Sequence, residues 1–257
     1  MSETPSWRAG FELEVILGDL GEPRFERELR EGEAMDEASP AFCRAFAAKL
    51  RDRTGRAWSA PSGTPKQPGF YVVPEYGLDP LNWPEDRLAG VELLTPPLPL
   101  DDAEMVRSEL CDAIYEIDGD FNFFESEHTA ICGWHINIDA GNGHRLDPDR
   151  FIVDVDELLL LANNDRLFSR YTALQRHAVG VPLLRHLAHD PTGKFLLGSA
   201  LANILDARAG RDKGYAANFA KLDKGYLELR HFSAESFFNG PHLCEQLERI
   251  PAAFEVW

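Results

Sequence analysis

A stretch near the end of the chain reads Gly225-Tyr226-Leu227-Glu228-Leu229-Arg230-His231-Phe232. It alternates, and in an extended strand alternate side chains point to opposite faces. One face would carry Leu227, Leu229 and His231, and the other Tyr226, Glu228, Arg230 and Phe232. A carboxylate and a guanidinium would therefore lie about 7 Å apart on one face of a predicted strand.

Three earlier segments repeat this alternation. Phe11–Val15 places Glu12 and Glu14 on one face, and Gly133–Asp139 places His135, Asn137 and Asp139 on one face. Gly90–Leu94 adds the single carboxylate of Glu92 between apolar residues. We expect these four strands to form one sheet whose polar face is a metal and phosphate site.

The size and spread of these segments favour a single domain. The chain has 257 residues, and the four strands extend from the N-terminus to residue 232, so we predict one catalytic domain over residues 1–257. No apolar run approaches the roughly 20 residues that a membrane span needs. The N-terminal residues lack a basic region followed by an apolar one, so we expect no signal peptide and a cytoplasmic protein.

The charge balance excludes some partners. The formal net charge of −17 speaks against nucleic acid and against an anionic membrane surface, because both require clustered Lys and Arg. A nucleotide can still bind if divalent cations bridge it to the protein. The four cysteines, Cys43, Cys111, Cys132 and Cys244, form no C-x-x-C pair, which is typical of reduced thiols in the cytosol.

Periodicity and capping residues predict the remaining elements. Helices are expected over 39–54 and 101–118, where Ser39-Pro40 and Asp101 suit helix starts, and strands over 70–74, 91–95 and 131–139. Further helical regions are expected over 147–161, onward to 175, and over 181–187, 192–206 and 241–254.

The two carboxylates of the first strand suggest a cation site. Like charges about 7 Å apart repel by roughly 2 kcal/mol at an effective dielectric near 20, a cost that water screens if the face is merely a solvated outer surface. If the face is enclosed, each carboxylate must be protonated or paired with a cation. Hard oxygen ligands of this kind suit Mg²⁺ or Mn²⁺.

The other polar residues each have a simpler interpretation as well. His135 is compatible with a hydrogen-bonded structural residue or, beside several carboxylates, with a mixed Mn²⁺ or Mg²⁺ site. Glu228 and Arg230 could form an exposed ion pair worth under about 1 kcal/mol, or a metal carboxylate beside a phosphate-binding fork. Lys221 could add positive charge over the same phosphates. His186 and His189 have helical spacing but no evident third ligand.

Taken in order, these motifs resemble those of the amidoligase family. The likeness covers roughly residues 10–235, and that family belongs to the glutamine synthetase-like carboxylate–amine ligase superfamily. The matching segments are Gly10–Glu14, Gly90–Leu98, Cys132–Asp139 and Asn218–Phe232.

The resemblance implies an α+β fold with a curved, mainly antiparallel sheet, helices packed on its convex side, and catalytic groups on the concave face. It implies ATP- and Mg²⁺- or Mn²⁺-dependent amide formation through an acyl phosphate. The expected substrates are a small-molecule or peptide carboxylate and an amine.

The resemblance also assigns roles residue by residue. The implied metal ligands are Glu12, Glu14, Glu92, His135 and Glu228; the implied nucleotide-binding residues are His135, Lys221 and Arg230. Glu12, Glu228 and Arg230 are the expected catalytic residues. Asn137 stands where the family often has a second His. The sequence does not decide between Glu75 and Asp79 for a further acidic position, or rank Arg166, Arg170 and Arg176 as substrate contacts.

Two other functions remain open at this point. A metal-dependent hydrolase could use His135 and the carboxylates to activate water. A non-catalytic, nucleotide-binding module could use the same scaffold. The chain has no G-x-S-x-G, P-loop or G-x-G-x-x-G motif that would suggest another chemistry.

Overall fold

The computed structural model describes residues 6–17, 40–75, 89–117, 132–141, 151–154, 194–197, 217–218, 221, 224–238 and 254–256. Most of the elements in these ranges belong to one antiparallel sheet and the helices beside it. The predictions for the segments 18–39 and 118–131, for Asp79, Arg166, Arg170, Arg176, Cys244 and the two spaced histidines, lie outside the described residues. So do the predicted helices between 161 and 187.

Within the described residues, the main sheet has seven strands. They are β1 (Arg8–Leu17), β2 (Tyr71–Pro74), β3 (Ala89–Leu94), β4 (Leu98–Pro99), β5 (Gly133–Asp139), β8 (Ala217–Asn218) and β9 (Leu227–Ser233). Six of them are hydrogen-bonded in the order β2-β3-β1-β5-β9-β8, and β4 pairs with the start of β1. Every pairing in this sheet is antiparallel. The four strands predicted to share a sheet are therefore neighbours, with β1 between β3 and β5.

In the part of the chain that the structure describes, three helices accompany this sheet: α1 (Pro40–Thr54), α2 (Leu100–Ile117) and α3 (Ala234–Phe238). In α1, Phe42, Phe46 and Leu50 recur at intervals of four and are buried, as an amphipathic helix requires. The helix ends at Gly55, whose φ of 68° is readily adopted only by glycine and whose N–H reaches the carbonyl of Arg51.

One aromatic cluster joins the helices to the apolar face of the sheet. Phe237 of α3 packs its ring 5.2 Å from that of Trp134 and 6.2 Å from that of Phe11. Phe232 lies 5.1 Å from Trp134 on the same side. Buried Arg107 of α2 donates to the Phe237 carbonyl at 2.8 Å, which fixes α3 against α2. The apolar residues of β1, β5 and β9 thus face the helices, and their polar residues face away.

The position of Phe232 corrects the predicted alternation of β9. Trp134 pairs with Phe232 and Ile136 with Leu229, so β9 carries one extra residue across this interval. This bulge moves Phe232 to the face of Leu227 and Leu229, where all three are buried, instead of the face of Glu228 and Arg230.

Two predicted helical regions are wrong where the structure describes them. Strands β6 (Phe151–Asp154) and β7 (Lys194–Leu197) pair with each other, and β10 (Phe254–Val256) pairs with β6, in a separate antiparallel sheet. The last strand also replaces the end of the predicted closing helix. The β-branched pair Ile152-Val153 favours an extended strand, and short apolar runs cannot be assigned by periodicity alone.

An α+β fold built on a mainly antiparallel sheet, with helices packed on one face of it, is confirmed. The curvature of the sheet and the glutamine synthetase likeness remain predictions. Within the described ranges, no helix combines the length and apolar character that crossing a bilayer requires.

Phe237→Ala should lower the free energy of unfolding by about 3–5 kcal/mol, because it removes a fully buried ring from the aromatic cluster. Urea denaturation followed by tryptophan fluorescence would measure this. The control Met105→Ala, which changes a half-exposed side chain on α2, should shift the free energy by less than about 0.5 kcal/mol. Equal effects of the two substitutions would contradict the assigned core.

Candidate functional site

The polar face of the main sheet brings together side chains from four strands. In the strand register Glu14 is opposite Glu92, Glu12 is opposite His135, and Asn137 is opposite Glu228. Paired residues of antiparallel strands project to the same side, so these groups face one common surface. We call this surface the polar face.

Three of these side chains converge most closely. One potential ligand atom each from Glu12, Glu92 and His135 lies within 4.8 Å of the other two. We call these residues the cation cluster. Oxygen and imidazole donors at this separation fit a divalent ion such as Mg²⁺ or Mn²⁺.

His135 provides a second sign that the cluster is built for a ligand. It is 6% exposed, and its Nδ1 has no hydrogen-bond partner among the described residues, although Glu12 Oε2 lies 3.5 Å away. The Oδ1 atom of Asn137 is likewise buried without a partner there, while its Nδ2 donates to Glu12 Oε1 at 2.7 Å. Buried polar atoms left unpaired cost free energy, which a bound cation and its waters would recover.

Gly133 leaves room for Glu14 beside the cluster. Its backbone N–H donates to Glu14 Oε2 at 2.6 Å. A Cβ on this residue would lie 3.1 Å from both Glu14 Oε2 and His135 Nε2. A glycine here therefore allows the carboxylate and the imidazole to approach the backbone closely.

A second group of charges lies on β9. Glu228 is 2% exposed and accepts a hydrogen bond from Arg230 Nη1 at 2.6 Å. Lys221 Nζ lies 3.8 Å from the other oxygen of Glu228 and 5.7 Å from the ring centre of Tyr226. A carboxylate buried this deeply needs such compensation, so the exposed ion pair considered from the sequence does not describe it.

The protonation behaviour of Glu12 and Glu14 differs. Burial pushes the pKa of Glu12 up, but contacts with His135 and Asn137 and the charge of Lys221 outweigh it and lower the pKa to about 2. The pKa of Glu14 is raised, because burial is only partly offset by His135 and the Gly133 N–H and the charge of Glu75 adds to it. On the polar face, the negative charge of Glu12 is therefore stabilised by its neighbours, whereas that of Glu14 is only partly compensated.

The structure places every predicted site residue in this region, although not in one ligand set. Glu12, Glu92 and His135 form the cation cluster, Glu14 binds the Gly133 amide, and Glu228 contacts Arg230 and Lys221. Their roles as ligands stay predictions. Of the two acidic candidates left open, Glu75 is near enough to raise the pKa of Glu14.

The partner of Asp139 was not predicted from the sequence. Arg8 binds this carboxylate through two hydrogen bonds of 2.8 and 2.9 Å, which closes one end of the polar face. Arg8 lies four residues before Glu12, so continuing the alternation of Phe11–Val15 back by three residues would have placed it on the same face.

Comparison of the chain with models of known protein families, with curated proteins and with solved structures gave no match. The functional assignment therefore depends on the geometry of the polar face and on the sequence motifs.

Glu14→Gln should raise the free energy of unfolding at pH 7 in metal-free buffer, and Glu12→Gln should lower it. The folded pKa of Glu14 is above the unfolded value, so its charge costs stability as pH rises beyond about 4.5. The folded pKa of Glu12, about 2, is below the unfolded value of 4.5, so it stabilises above pH 4.5 and this contribution is lost as pH falls toward 2. That shift corresponds to roughly 3 kcal/mol.

Urea denaturation at pH 7 and near pH 4 would measure both effects. The gain from Glu14→Gln should shrink at the lower pH, because Glu14 is then protonated and position 14 is uncharged in both proteins. Changes of the same sign in the two variants at pH 7 would contradict the assigned electrostatics.

The cation cluster should bind Mn²⁺, which electron paramagnetic resonance detects directly. Removing one ligand, as in His135→Gln or Glu92→Gln, should weaken binding by about tenfold or more. Asp139→Asn is the matched control, because this carboxylate lies on the same face but is held by Arg8. Equal weakening by the control would show general charge attraction rather than a site.

Proposed function

We propose that this protein is an ATP- and Mg²⁺-dependent carboxylate–amine ligase. The observation that carries the proposal is the juxtaposition of the cation cluster with the Glu228–Arg230 pair and Lys221 on one face of the sheet. Phosphoryl transfer requires positioning and positive charge more than a protein nucleophile, and these residues supply both.

The proposed reaction has two steps. An oxygen of the substrate carboxylate bonds to the γ-phosphorus of ATP as the bond to the bridging oxygen breaks, and ADP leaves with that electron pair. The amine nitrogen then bonds to the carbonyl carbon, phosphate leaves with its bonding electrons, and the nitrogen gives up a proton to solvent. A divalent cation would neutralise charge developing on the phosphoryl oxygens.

The protein residues divide this work. Glu12, Glu92 and His135 would hold the cation, with Asn137 fixing the orientation of Glu12 through its hydrogen bond. Arg230, anchored by Glu228, presents a planar fork suited to phosphate oxygens, and Lys221 adds a second positive charge. Glu14, short of positive charge in this structure, would gain it from a bound cation nearby.

The proposal extends to the architecture. The antiparallel sheet has helices on one face and acidic groups on the other, which is compatible with a glutamine synthetase-like catalytic domain. In that arrangement the polar face would be the concave side of a curved sheet.

The test is ADP release with Mg²⁺ and ATP across a panel of amino acids and short dicarboxylic acids, each combined with ammonium, an amino acid or a dipeptide as the amine. At least one pair should stimulate ADP release, and Glu12→Gln or Arg230→Ala should reduce the stimulated rate by about 100-fold or more. Glu116→Gln, an exposed carboxylate of α2 paired with Arg53, is the control and should retain the rate.

Normal turnover by the Glu12 and Arg230 variants would overturn the site assignment. Cleavage of an amide or ester without nucleotide, lost in Glu92→Gln, would indicate the hydrolase instead. ATP binding with no reaction across the panel would favour the binding module.

A further inference from the structure

A cavity of about 700 Å³ opens beside the cation cluster. It lies between the start of α1, the loop at residues 60–65, and the polar-face residues of β2 and β3. Its volume falls within the range of small-molecule sites. Glu92 lines this cavity and also belongs to the cation cluster, so a molecule in the cavity would have one end at the reaction centre.

The strand order separates this cavity from the groups assigned to phosphate. The cavity adjoins β2 and β3, whereas Arg230 is on β9, so the sheet order places the cation cluster between them. From β2 to β9 the distance across the sheet is about 19 Å at ordinary strand spacing. If the phosphates of a nucleotide bind near Arg230, the cavity remains available for the second reactant. The cations would then lie between the nucleotide and that reactant.

The charges in the cavity indicate what that reactant is. Among the described residues, its charged lining consists of Glu92 from β3, Glu75 just after β2 and Arg44 from α1, and the walls between are largely apolar, including Val73 and Leu94. Arg44 forms no ion pair with any residue that the structure describes and is exposed at the rim. Two carboxylates at one side disfavour a phosphate and favour an ammonium group, while a guanidinium favours a carboxylate.

Among the described residues of the cavity wall, the thiol of Cys43 is not ionised and so is not available for covalent attachment. Burial raises the pKa of the Cys43 thiol to about 11, so it stays protonated at neutral pH. Recognition in the cavity must therefore depend on shape and charge.

We infer that the cavity binds the amine substrate, and that this substrate is an amino acid or short peptide. Its ammonium would face Glu75 and Glu92 and would lose one proton to solvent before the nitrogen attacks, and its carboxylate would face Arg44. The identification of the bound molecule as the amine substrate rests on the proposed ligase function, but its binding to the cavity can be measured without ATP.

The experiment uses calorimetric titration of the full chain, with Mg²⁺ and no nucleotide. The probes are L-alanine, glycylglycine and L-alanyl-L-alanine, each compared with its N-acetyl and C-terminal amide forms. At least one free amino acid or peptide should bind saturably, and losing either terminal charge should weaken binding by about tenfold or more. Arg44→Gln should abolish the preference for the free carboxylic acid over its C-terminal amide. Glu75→Gln should abolish the preference for the free amine over its N-acetyl form.

Arg53→Gln is the matched control, since Arg53 lies on the same helix and pairs with Glu116 away from the cavity. It should leave all affinities unchanged. Failure of every free probe to bind, or equal binding of the N-acetyl form, would overturn the inference. Saturable binding with the expected preferences but no ADP release in any pairing would sustain the cavity and reject the ligase.

Discussion

The carboxylates of β1 impose the main electrostatic constraint on this protein. Glu12 and Glu14 lie on one face of a strand whose other face is apolar and buried; Glu92 adds charge from the adjacent β3, and Glu228 adds charge from β9, on the far side of β5. An imidazole, an amide, a backbone N–H and two basic side chains contact these carboxylates and offset part of their negative charge. These contacts satisfy Glu12 and leave Glu14 short of positive charge, so the polar face is suited to an added cation.

The strand pattern could be predicted because it is local. The alternation around Glu12 and around His135 follows from a period of two, and it decided which residues face the core and which face the site. The membership of these strands in one sheet was predicted less directly, from the expectation that strands carrying related polar side chains lie together. The role of Glu75 and the pairing of Arg8 with Asp139 could not be predicted this way, because they depend on contacts across strands that sequence spacing does not encode.

The errors arose where local pattern is weak or interrupted. Phe151–Asp154 and Lys194–Leu197 are four-residue strands with no period long enough to separate them from helix. Phe232 was placed on the wrong face because one extra residue in β9 breaks the alternation after Arg230. The cavity was also unpredictable, because its lining comes from α1, a loop and two strands that meet only in the folded chain.

The bulge divides β9 into two parts in which even-numbered residues face opposite sides of the sheet. Before it, even-numbered residues such as Glu228 face the charges, and after it Phe232 is an even-numbered residue that faces the core. Tolerance to deletion should therefore depend on which residue is lost. Omitting His231 would restore a continuous alternation with Glu228 and Phe232 still on their own sides, whereas omitting Leu229 would bring Arg230 to the buried position opposite Ile136. The protein should therefore tolerate loss of the extra residue of the bulge better than loss of the regularly paired residues beside it.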